Sequence, residues 1–123
     1  MISKRRCYRV GYAIAQDNLL LGRRVIADSV NPIAHTRDAW LAIAHRAKVP
    51  AVEIEVKCSD VKAHRRRIEE RRRDVPGLRL PNWQEVESRD YQPWGREHII
   101  IDTAGWSVEQ CVKILRRQLE REL

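Results

Sequence analysis

Long hydrophobic runs are missing from this 123-residue sequence. No apolar stretch approaches the roughly 20 residues that a membrane span needs, so no membrane partner is expected. The opening ten residues, Met1 to Val10, carry basic side chains without an apolar central segment. They do not read as a secretory signal, and a cytoplasmic location is the expectation. Cysteine is scarce: Cys7, Cys58 and Cys111 are odd in number, widely spaced and form no CxxC pair. That pattern excludes a disulfide scaffold and argues against a cysteine-based zinc site. His35, His45, His64 and His98 lack a metal-ligand spacing such as HExxH and read as surface or half-buried side chains. Internal repeats and low-complexity linkers are absent as well. A single domain over residues 1–123 is therefore expected.

Positive charge is abundant. Lys and Arg number 24 against 17 Asp and Glu, so the net charge of +7 favours anionic partners. Lys62, Arg65, Arg66, Arg67, Arg71, Arg72 and Arg73 crowd one short segment. Arginine forks match phosphate oxygens, which leans the segment toward phosphate recognition. A solvated helix face, partly neutralised by Glu69, Glu70 and Asp74, is the plain alternative.

The apolar period alternates between helix and strand. Val10, Ala13, Ile14, Leu20 and Leu21 recur at helical spacing, and Gly22 offers a stop. Val25-Ile26-Ala27 before Asp28 reads as a buried strand. Asn31-Pro32 opens a helix whose face is Trp40, Ile43, Ala44 and Ala47. Ala51 to Val56 reads as a second strand. The basic segment from residue 61 to about 73 is a largely exposed helix. Val75-Pro76-Gly77 makes a turn, and Asn82 with Glu85 resembles a capping box for a short helix. His98 to Asp102 is the third strand. Ser107 with Gln110 caps a last helix, with Val108, Cys111, Val112, Leu115 and Leu119 on its face. Short apolar strands alternating with helices predict an α/β fold with a three-stranded parallel sheet. An opening helix with no strand before it looks like such a fold lacking its first βα unit.

The ordered features Gly22 to Ser29, Thr36 to Trp40, Val52 to Val56, Arg66 to Arg71, Pro81 to Val86 and Ile100 to Thr103 resemble the back two-thirds of small P-loop kinases. That group includes gluconate-kinase-like, shikimate-kinase-like and zeta-toxin-like proteins and many AAA-labelled ATP-binding proteins. The resemblance implies a partial P-loop NTPase-type three-layer α/β/α fold with an Arg-rich helical lid at residues 61–95. It implies ATP and magnesium as cofactors and a small-molecule phosphate acceptor as partner. Asp28 would be the catalytic acid and magnesium ligand, and Arg37 would hold the acceptor. Arg67 and Arg71 at the lid base, with Asp102 and Thr103 near the adenine, would contact the nucleotide. Positioning and charge stabilisation are the main needs of phosphoryl transfer, and arginines with a metal supply both.

The sequence departs from that family at its defining element. Glycines stand only at 11, 22, 77, 95 and 105, and no lysine follows any of them, so GxxxxGK[ST] is missing. The expectation is that the chain is a fragment, the alternative being a natural derivative that lost nucleotide chemistry, and that it is inactive alone and binds ATP without tightness. Oligomers through exposed sheet edges are expected from the gap. The alternative function is a non-enzymatic nucleic-acid-binding domain using residues 62–73. The lack of an aromatic RNA-binding signature and of a helix-turn-helix counts against it.

Overall fold

The computed structural model describes residues 4–123. The chain divides into two compact units. The first runs to Ala51 and takes back Asp90–Arg96; the second comprises Val52–Arg89 and Glu97–Leu123.

The first unit is helical. Helix α1 (Lys4–Leu20) packs on α2 (Ala34–Arg46). Gly11 lets them approach: a Cβ there would lie 3.2 Å from the Trp40 ring. Tyr12 meets Trp40 edge-on, with centroids 4.6 Å apart. Ala15, Ile43 and Ala44 are buried. Gly22 takes a left-handed φ of 77° just past α1 and its N–H bonds Leu19, the stop its position predicts. The face of α1 that the spacing predicts to be core is instead outside. Val10, Ile14, Leu20 and Leu21 are exposed, because packing runs along Tyr8, Gly11, Tyr12 and Ala15.

Helix α2 also begins later than expected, with Ile33 as its uncapped N-cap. Asn31 is spent elsewhere. Its backbone is left-handed (φ 45°), which asparagine tolerates, and its Oδ1 accepts the Trp40 indole N–H at 3.0 Å. The free N–H at the helix start is satisfied from a distance in sequence: Ala34 N–H donates to Gln92 Oε1 at 2.9 Å.

The second unit holds the sheet. Strand β1 (Ile54–Lys57) pairs in parallel with β2 (Ile99–Asp102), Ile54 opposite Ile99 and Lys57 opposite Asp102. Ile99 and Ile101 are buried, and α5 (Val108–Glu122) packs on β2. The expected Ser107–Gln110 capping box opens α5 with both reciprocal bonds. Asp60 caps α3 (Val61–Glu70) and Asn82 caps α4 (Trp83–Glu87). His64 and Trp83 join these two helices edge-on.

The fold is thus mixed helix and strand with a two-stranded parallel sheet. The third strand expected at Val25–Ala27 is not formed. A strand exists only against a neighbour, and no strand lies in the first unit among the described residues. Ile26 is 88% exposed, so the run is not a buried one either. Among the described residues, no helix is long and apolar enough to cross a membrane.

Candidate functional site

Parallel strands end together, and their carboxyl ends are where α/β folds place ligands. In the second unit, β1 and β2 both finish at that edge, and the residues just beyond them meet. Arg67 reaches over from the last turn of α3. Its Nη1 donates to Thr103 Oγ1 at 2.8 Å and its Nη2 to the Thr103 carbonyl at 3.2 Å. The Thr103 hydroxyl in turn donates to the Lys57 carbonyl at 3.2 Å. Arg67 is thereby fixed against both strand ends while its guanidinium stays exposed. The same Nη1 stands 3.7 Å from Cys58 Sγ. The Cys58 thiol is half-buried and donates to the Asp60 carbonyl.

Asp102 closes the edge. Its Oδ1 accepts the Ser59 and Ala104 backbone N–H groups, each at 3.0 Å. The Ser59 side chain, these two N–H groups and the Lys57 charge hold its carboxyl down at about 2. At neutral pH, Asp102 is a fixed anion that ties the loop after β1 to the loop after β2. Spacing alone could not reveal this: Asp102 lies dozens of residues beyond Ser59 and Arg67 in the sequence, and only the parallel register joins them.

Arg71 lies just past α3 and donates through Nη2 to the Pro81 carbonyl. Arg65 pairs with Glu69 at 2.8 Å on the exposed side of the helix. The basic segment is therefore not one uniform face. Arg67 faces the strand ends, Arg65 is neutralised along the helix, and Arg71 braces the segment leading to α4.

The remaining site candidates lie in the first unit. Asp28 is exposed at the end of the irregular run Arg23–Asp28. Arg37 is 4% exposed. Its Nε donates to the Asn31 carbonyl at 2.8 Å and its Nη2 to the Gln92 carbonyl at 2.7 Å. Tyr91 and Trp94 hold its guanidinium carbon 5.0 and 4.5 Å from their ring centres. Gln92 N–H also bonds Pro32 O at 2.7 Å. Arg37 is thus the clamp that fastens residues 90–96 to α2. Its burial, and its place over the Tyr91 and Trp94 rings, are not legible from the spacing of these residues.

Among the described residues, no three of His, Cys, Asp and Glu gather where they could hold a metal ion. No family profile, curated protein or solved structure matches the chain.

Proposed function

We propose that this chain carries the phosphate-contacting strand edge of an ATP-dependent phosphotransferase of the P-loop kinase type, without a triphosphate cradle of its own. The observation that supports this reading is the exposed Arg67 guanidinium, fixed by Thr103 at the carboxyl ends of two parallel strands. A pre-positioned fork with donors to spare is what a phosphate oxygen needs, because little side-chain entropy is lost on binding. Asp102 and Ser59 hold that edge rigid. Arg71, next along the same segment, is the second cation, and residues 61–95 act as the lid.

Magnesium suits Asp28 on chemical grounds. An exposed carboxylate outside any ion pair among the described residues can join a cation that keeps most of its water and phosphate ligands. When bound, the ion would screen phosphate charge. The triphosphate itself fits poorly, since no glycine-rich loop with its lysine is present to cradle it. The acceptor stays a small hydroxyl compound of unassigned structure. Arg37 enters this reading as a structural clamp.

The test is a titration of the purified chain with magnesium and ATP, followed by backbone amide shifts and by phosphate release. Saturable, weak shifts at Arg67, Asp102 and Thr103 with no turnover are expected. Turnover by this chain would contradict the missing cradle. Binding of DNA or RNA that falls steeply with salt and vanishes on replacing Arg65, Arg66 and Arg67, with no response to ATP, would favour the nucleic-acid reading instead.

A further inference from the structure

A second site lies wholly in the first unit. Arg24 to Asp28 run without helix, turn or bend, and among the described residues their backbone N–H and C=O groups have no protein partner. The side chains between the charges, Val25, Ile26 and Ala27, are apolar. Beside them α1 walls an open groove of about 710 Å³, lined on one side by Gly11, Ile14 and Ala15 and on the other by Val25 and Ile26. Ile14 is 56% exposed and Ile26 88%. Unpaired backbone next to an uncovered apolar groove is the surface that strand addition uses.

The charge order says what adds. We propose that Arg23–Asp28 is the self-pairing edge of a two-fold homodimer. The hexapeptide is Arg-Arg-Val-Ile-Ala-Asp, cationic at its start and anionic at its end. Successive side chains alternate faces, so a two-fold axis must pass at a residue; antiparallel pairing about an axis at Ile26 sets each Arg24 opposite Asp28 of the partner subunit. Ile26 then faces the partner's Ile26 and Val25 the partner's Ala27, so the centre of the seam is apolar. A parallel arrangement would set arginine against arginine. Asp28 has no ion pair among the described residues. Self-pairing occupies the carboxylate that the kinase-type reading assigns to magnesium, so pairing and metal binding compete.

Sedimentation equilibrium of the purified chain, without nucleotide, tests the proposal. The wild type should show a reversible monomer–dimer equilibrium. Asp28→Arg should weaken it at least tenfold, and Arg24→Asp likewise, because each sets like charges opposite twice over. Mixing the two single variants should restore dimer to within about threefold of wild type, since every opposed pair is then complementary. The double variant should self-associate as the wild type does. Circular dichroism of each variant checks that it is folded, and Ile26→Lys provides a break independent of the swap. A wild type that stays monomeric at every concentration, or a dimer indifferent to Ile26→Lys, would overturn the proposal. So would single variants that weaken the dimer without recovery on mixing.

Discussion

Two arginines, one in each unit, show how differently the same side chain can be used. Arg37 is buried in the first unit between two aromatic rings, with its donors turned onto backbone carbonyls. Arg67 in the second unit is exposed, and a single threonine holds it at the strand ends. A buried guanidinium must have its hydrogen bonds met inside the protein, so it becomes structure. An exposed and steadied one keeps donors for a ligand. The units differ in the same sense. The first is joined by a cation and its cage, the second by an apolar strand pair with a polar edge.

The sharpest break in this comparison is Arg37→Leu. It leaves the Asn31 and Gln92 carbonyls without their donor and empties the aromatic cage. A loss of about 4 kcal/mol in unfolding free energy is expected, read by urea titration of tryptophan fluorescence. Arg37→Lys should recover only a small part, because an ammonium cannot fork between the two carbonyls. In the second unit the matching break is apolar. Ile101→Ala should cost about 3 kcal/mol, with faster amide exchange confined to β1, β2 and α5. Ser107→Ala removes the cap of α5 and should cost about 1 kcal/mol in the same assay.

Acid titration sharpens the contrast further. The Asp102 carboxyl is held near 2 in the folded chain, below its ordinary value. Its stabilisation is therefore complete above about pH 4 and is lost as pH falls toward 2. Asp102→Asn should flatten that part of the stability–pH curve. An unchanged acid slope in the variant would place the effect elsewhere.

Much of the second unit was legible in the sequence. The capping box at Ser107 and Gln110 and the apolar run His98 to Asp102 are local signals, and local hydrogen bonds or burial decide them. Ala51 to Val56 reads as a strand, while pairing extends only over Ile54–Lys57, since the partner β2 spans four residues. The first unit was harder to read. Val25-Ile26-Ala27 has strand composition, but composition supplies no neighbour. The apolar stripe of α1 misled because Gly11 and two tyrosines admit Trp40 more closely than Val10 and Ile14 would. Asn31 looked like a helix cap and serves Trp40 and Arg37 instead. The candidate edge was half legible. The arginine cluster was plain, but which arginine meets Thr103 is decided by the parallel register and by Asp60 setting the phase of α3.

The most direct test of the central claim is calorimetric titration of inorganic tripolyphosphate into the wild type and three single variants, Arg67→Ala, Arg66→Ala and Arg72→Ala. The account predicts that Arg67→Ala lowers affinity about tenfold, with a stability change under about 1 kcal/mol, and that the other two lower it less than twofold. Equal losses in all three, tracking only the net charge removed, would contradict it.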